Sequence, residues 1–267
     1  MASTSGHPEA HFTAEAAYTA LITGGTSGLG AEFAQQLAAR GHGLVLVARD
    51  GHRLADAAAG LRARYAVPVE TVAADLLTEE GRATVTARLA DTANPVNMLV
   101  NNAGHGLAGN FADNDLEREL ELLRIHAEVP LALAHAALRS MAQTGGGRIV
   151  NVASVAAFTP NGTYSAAKAL LVNFSRWANV FYRDRRVSVT ALCPGLVHSE
   201  FHDRMGMDKR SIPNWMWLTA DQVVREGLTD ANAGKPVSIP SARYKALALV
   251  ARLAPDAVVE RLVRRSR

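Results

Sequence analysis

Residues 18–30 read Tyr-Thr-Ala-Leu-Ile-Thr-Gly-Gly-Thr-Ser-Gly-Leu-Gly, and residues 31–40 continue as Ala-Glu-Phe-Ala-Gln-Gln-Leu-Ala-Ala-Arg. The run Tyr18–Thr23 has the length and composition of a short buried strand, and Ala31–Arg40 carries apolar residues at helical spacing. Strand, glycine turn and helix, in this order, open a βαβ unit whose turn can take a dinucleotide diphosphate. Gly24, Gly28 and Gly30 let the backbone turn tightly and come close to a ligand. Thr26, Ser27 and Leu29 sit where the unpaired N–H groups and positive dipole end of a helix face outward. An ordinary glycine-rich turn has the same composition, so the rest of the chain must decide between the two.

Further strands are expected at Gly43–Ala48, Val69–Ala73, Asn97–Asn101, Arg148–Val152 and Val187–Leu192, with a short last one within Gly234–Pro240. Helical periodicity falls between them at Arg53–Tyr65, Glu79–Asp91, Leu116–Met141 and Tyr164–Asp184. The alternation predicts one α/β domain of Rossmann type, a doubly wound parallel sheet with helices on both faces. A chain of 267 residues, 48% apolar and 20% charged, suits a single globular unit with a sizeable core.

Chemistry is suggested further along. Tyr164 and Lys168 stand in Thr-Tyr-Ser-Ala-Ala-Lys, four residues apart and so on one helix face, and Ser154 lies ten residues upstream in Val-Ala-Ser. A cation beside a phenol favours phenolate and makes tyrosine a usable acid and base near neutrality. Only four of the 28 basic residues are lysines, so an ammonium at 168 goes against the habit of an arginine-rich chain. Taken alone, the spacing also fits an exposed helix face.

The motifs occur together and in order: Thr-Gly-x-x-x-Gly-x-Gly, Asp75-Leu76 after the third strand, and Asn-Asn-Ala-Gly at 101–104 after the fourth. Ser154, Tyr164 and Lys168 come next, then Cys-Pro-Gly at 193–195 after the sixth strand. In these the chain resembles the short-chain dehydrogenase/reductase family, in its compact single-domain branch, over about Tyr18–Ser199. The resemblance implies an oxidoreductase that moves hydride between a nicotinamide and a carbonyl or secondary alcohol. Ser154 would bond the reacting oxygen, Tyr164 would exchange its proton, and Lys168 would bind the nicotinamide ribose and keep the phenol acidic. Asp75 would contact the adenine and Asn102, Ala103 and Gly104 would lie along the adenosine half, with Leu76, Pro194, Gly195, Val197 and Ser199 also on the cofactor. At the end of the second strand Ala48 stands where an acid would grip a ribose, and Arg49 is next to it, which favours NADP(H) over NAD(H). Asp50 beside it could partly neutralise that charge.

Two features depart from the family pattern. The family's helix asparagine aligns with His126, which could replace a proton relay and add pH dependence, or be a histidine satisfied by a carbonyl. The interval from Ser154 to Tyr164 is short. A binding or scaffold protein that has kept the fold is therefore the alternative to an enzyme. No metal site is expected, although His198 and His202 have helical spacing beside Asp203, because no third ligand presents itself.

The flap of residues 198–218 carries Phe201, Met205, Met207, Trp215, Met216 and Trp217, so an apolar substrate is expected. Met1–Ala17 reads as a polar arm rather than a secretory signal. Residues 241–267, a basic amphipathic extension, hold seven basic and two acidic side chains. Packing on the flap or a neighbouring subunit is favoured there over an anionic membrane surface. No nucleic-acid partner is expected, as no stacking platform accompanies the charge. One cysteine, Cys193, fits a reducing, cytoplasmic location. The resemblance implies a homodimer or homotetramer built on the long central helices.

Overall fold

The computed structural model describes residues 18–198 and 213–253. Seven parallel strands form one sheet: β1 (Thr19–Thr23), β2 (Gly43–Ala48), β3 (Val69–Ala73), β4 (Met98–Asn101), β5 (Gly147–Val152), β6 (Val187–Leu192) and β7 (Val237–Ser238). Their order is β3-β2-β1-β4-β5-β6-β7, and the direction of winding reverses between β1 and β4. In such sheets the crevice at the carboxyl ends of the strands, at that reversal, is the place for a ligand.

Eight α-helices are described: α1 (Gly28–Ala38), α2 (Gly51–Tyr65), α3 (Glu79–Ala90), α4 (Leu116–Leu123), α5 (Val129–Gln143), α6 (Gly162–Phe181), α7 (Ala220–Asn232) and α8 (Ala242–Leu253). Alternate residues of each strand feed two cores. Ile22, Leu46, Val100 and Val150 pack with Phe33, Leu37, Leu54 and Leu228 of α1, α2 and α7. Leu21, Val45, Leu99 and Ile149 pack with Val85, Leu89, Leu133 and Met141 of α3 and α5. This two-sided burial is why the central strands β1, β2 and β4 read as nearly continuous apolar runs.

Three expectations are adjusted. β7 is only two residues long, because Pro236 and Pro240 lack the N–H that would extend its ladder. Helix α1 starts at Gly28, three residues earlier than its apolar periodicity. The single helix expected over Leu116–Met141 is interrupted by a π-helical turn at Arg124–Glu128, where Val129 N–H reaches back to Arg124 C=O. Pro130, with no N–H, cannot continue an i to i−4 ladder, and the wider turn falls just before it. His126 sits on that turn.

Candidate active site

The reversal point is stitched by side chains. Thr23 Oγ1 accepts the N–H groups of Asn102 and Ala103, each at 2.9 Å, and Asn102 Nδ2 donates to Thr23 C=O at 2.9 Å. Asn102 therefore holds β1 to the chain leaving β4. Gly24 and Gly28 both have positive φ. A Cβ on Gly30 would stand 2.1 Å from Gly24 O and 2.6 Å from Asn102 Nδ2, so only glycine lets α1 begin this close to the β4 end.

The start of α1 differs from those of its neighbours. Ser27 is its N-cap yet makes no side-chain capping bond, and the first turn has no acid. By contrast α2 is capped by Asp50, which accepts from His52 and Arg53 N–H at 3.0 and 3.1 Å, and α3 by Thr78. Those backbone donors, Arg53's first, hold the Asp50 carboxyl below its ordinary range. Asp50 thus serves the helix. Arg49 is exposed beside it, and Arg53 Nη2 reaches the Thr26 carbonyl at 3.4 Å. Arg53 brings a guanidinium to the glycine loop, which its place inside a helical pattern does not reveal. One Asp75 oxygen accepts Leu77 N–H at 2.9 Å, and Leu76 is buried in the core.

On the other side of the crevice, α6 carries Tyr164 and Lys168. Lys168 is buried, its Nζ donating to Val152 C=O at 2.6 Å and lying 5.5 Å from the Tyr164 ring centroid. Ser154 follows β5 in extended conformation and accepts Ala156 N–H at 3.1 Å, capping a 3-10 turn at Val155–Phe158. Its hydroxyl also bonds the Tyr164 phenol. Capping and the contact with Tyr164 are thus made by one side chain, and the short interval is taken up by that turn.

His126 completes the cluster. Its Nε2 donates to His105 C=O at 2.6 Å, its ring meets Tyr164 edge-on at 5.2 Å, and its Nδ1 is buried with no hydrogen-bond partner. A Cβ on Gly104 would lie 2.2 Å from the imidazole Cε1, so Gly104 makes room for the ring.

The electrostatics correct two expectations. Burial pushes the Tyr164 phenol up to about 12; the Ser154 hydrogen bond opposes this, but Lys168 is not among the influences that lower it. Burial takes Lys168 down to about 7, so its ammonium is a weaker aid to the phenol than its position suggests. Burial first, and Lys168 second, hold His126 well below the ordinary histidine value. The imidazole is neutral across the physiological range and adds no pH switch there.

Pro194 C=O accepts Val155 N–H at 3.0 Å, which ties the chain after β6 to the turn after Ser154. Val197 pairs with Leu218 in an isolated parallel bridge. Ser199, Phe201, His202, Asp203, Met205 and Met207 lie outside the described residues, as do residues 1–17 and 254–267. His198 stacks on Trp217 at 4.8 Å.

The family model of short chain dehydrogenases matches residues 18–210, well over half of the sequence. The chain belongs to the short-chain dehydrogenase family. It is an oxidoreductase of the kind that interconverts carbonyls and alcohols. Among the relatives of this dehydrogenase is the 3-oxoacyl-acyl-carrier-protein reductase of Aquifex aeolicus, 30% identical over 183 residues, which are 67% of this chain and 74% of that one. Among solved structures, a short-chain dehydrogenase from Sphingobium yanoikuyae in complex with NADPH is 35% identical with a TM-score of 0.80. It covers 86% of this dehydrogenase and is itself covered to 92%. The bulky-bulky ketone specific alcohol dehydrogenase of Comamonas testosteroni is 32% identical with a TM-score of 0.76, over 87% of this chain and 91% of that one.

Proposed function

We propose that this dehydrogenase uses NADP(H) to interconvert a carbonyl and a secondary alcohol on an apolar substrate. The assembly of Ser154, Tyr164 and Lys168 on one side of the crevice carries the reading. The uncapped start of α1 on the other side fits a dinucleotide, since its glycines leave backbone N–H groups free to meet a diphosphate. Bound there, the nicotinamide supplies the hydride. Thr26–Gly30 would hold the diphosphate, Asp75, Leu76 and Asn102–Gly104 the adenosine, and Pro194–Val197 with Ser199 the nicotinamide end. Arg49 and Arg53 would take the 2′-phosphate, where a guanidinium matches a phosphate by charge and geometry.

In this reading Ser154 orients the substrate oxygen and Tyr164 gives or takes its proton. Burial keeps the phenol protonated, so it can donate to the substrate oxygen as a carbonyl is reduced. Lys168 holds the nicotinamide ribose, its Nζ fixed by the Val152 carbonyl beside the Tyr164 ring. Neutral His126, whose buried Nδ1 has no partner, can accept a hydrogen bond from a water or hydroxyl beside Tyr164. The NADPH complex of the Sphingobium relative and the ketone specificity of the Comamonas one favour cofactor and substrate class alike. Trp217 and Leu218, buried at the end of the flap, support an apolar lining.

Exposed Leu116, Leu120 and Leu123 on α4 and Trp177 and Phe181 on α6 support a homodimer or homotetramer formed through these neighbouring helices. No helix among the described residues is long and apolar enough to cross a membrane. The single cysteine, Cys193, is buried and in no disulfide, which suits a reducing, cytoplasmic setting.

Fluorescence titration with NADPH and NADH on wild type and Arg49→Ala tests the proposal. NADPH affinity should fall about tenfold in the variant while NADH affinity stays the same. Equal binding of the two dinucleotides by wild type would remove the phosphate argument. Binding without any ketone reduction that Tyr164→Phe abolishes would return the chain to the scaffold reading.

A further inference from the structure

Helix α8, the last of the described helices, touches the crevice through its first turn. A 3-10 turn at Asn214–Met216 leads out of the flap, and its carbonyl groups have too few internal donors to satisfy them. The first turn of α8 supplies those donors. Tyr244 Oη donates to Met216 C=O at 2.8 Å, and Arg243 donates to the carbonyls of Trp215 and Trp217. The same Tyr244 oxygen accepts Leu196 N–H at 3.1 Å. One hydroxyl therefore joins the chain entering the flap to the chain leaving it, beside the Val197–Leu218 bridge.

The Tyr244 ring is as closely placed as its hydroxyl. The residue is 3% exposed, and a Cβ on Gly195 would fall 2.1 Å from its Cζ, so the ring lies directly on the Gly195 backbone. Helix α8 is itself fixed at its start. Ser241 adopts a left-handed φ of 75°, and its N–H is held by Glu226 Oε2 of α7 at 2.9 Å. Such a backbone is unfavourable for serine and persists when the surroundings impose it. The helix also packs against the Val155–Phe158 turn that follows Ser154.

We propose that Tyr244 is a positioning residue of the active site, and that its hydroxyl sets the Pro194–Val197 segment against which the nicotinamide end of the cofactor rests. The role rests on the dinucleotide reading above. It makes helix α8 part of the cofactor site's frame, although Tyr244 itself need touch neither cofactor nor substrate.

The test compares wild type with Tyr244→Phe, which keeps the ring on Gly195 and removes only the bridge, and with Val85→Ala, a core truncation under α3 remote from the crevice. Amide hydrogen exchange is measured at Leu196, Val197 and Leu218 and in β1, together with NADPH affinity by fluorescence. Expected for Tyr244→Phe are exchange about fivefold or more faster at Leu196 and Val197, unchanged protection in β1, and NADPH affinity about fivefold weaker. Val85→Ala should lower the Tm without changing NADPH affinity. Unchanged Leu196 exchange and unchanged NADPH affinity in Tyr244→Phe would overturn the proposal, as would a loss of affinity matched by Val85→Ala. Absence of dinucleotide binding in wild type would strike the function reading instead, and local exchange at Leu196 would still decide whether the hydroxyl orders this segment.

Discussion

Along the carboxyl edge of the sheet, the stretch from β1 to β3 presents backbone and solvent-facing charge, whereas the stretch from β4 to β6 presents buried polar side chains. On the first stretch the essential residues are glycines with no room for a Cβ, an uncapped helix start, and exposed Arg49 and Arg53. On the second, Asn101, Asn151 and Ser175 form an internal chain of hydrogen bonds behind Lys168, and His126 is wedged between Gly104 and Tyr164. A diphosphate is gripped by repeated N–H groups, which any sequence supplies if its side chains stay away. Proton transfer needs particular acids and bases held dry. The two stretches should therefore fail differently when altered.

The largest effect is expected for Tyr164→Phe, which should lower kcat about 10³-fold while leaving NADPH affinity and Tm near wild type. Stopped assays with a bulky ketone and a parallel binding titration separate these quantities, and substantial turnover in the variant would detach the phenol from the chemistry. Gly30→Ala should do the opposite. Its Cβ meets backbone at 2.1 Å, so stability should fall by about 3 kcal/mol and NADPH binding should go with it, as read by denaturant melts with and without dinucleotide. A well-folded Gly30→Ala variant that binds NADPH normally would show that the glycine loop yields easily.

A subtler contrast concerns protons. Lys168 has a folded pKa of about 7 against an ordinary 10.5, so between these values the unfolded chain holds a proton that the native protein has released. Wild-type stability should therefore rise with pH relative to Lys168→Met over pH 7–9, by up to about 1.4 kcal/mol per pH unit. A difference that stays flat over that interval would mean the ammonium remains charged in the folded protein. Tyr164 acts in the other sense, but only between pH 10 and about 12, where stability should fall as pH rises. The smallest effect is expected for Asp50→Ala. It removes the α2 cap and should lower the Tm by about 2 °C with NADPH affinity unchanged, which would confirm that this acid serves structure beside a ligand-binding arginine.

Much of this organisation is legible in the sequence because it is local. The central strands β2 and β4 announce themselves as apolar runs, and Gly24–Gly30 needs only its neighbours to be understood. Tyr164 and Lys168 share a helix face, which spacing alone gives. The features that escape reading depend on distant partners or on burial. Asn102 reads as a ligand contact, but its amide is engaged by Thr23, 79 residues away in sequence. The direction of the Tyr164 and Lys168 shifts follows from how deeply α6 packs, which no spacing records. Tyr244 lies in a tail whose sequence offers only charge and scattered apolar residues, and its partners are Leu196 and Met216.

The π-helical turn at Arg124–Glu128 has a consequence for how this protein tolerates length change. It amounts to one extra residue carried inside a long helix, so the residues before 124 and after 129 follow separate rotational registers. Removing a single residue from the turn would restore a regular ladder on paper while swinging His126 by about 100° from Tyr164, or else swinging α5 off the sheet. Substitutions at Arg124 or Glu128 leave the count intact and belong to a different class of change. Within this helix, a one-residue deletion is a larger edit than any exchange of side chain.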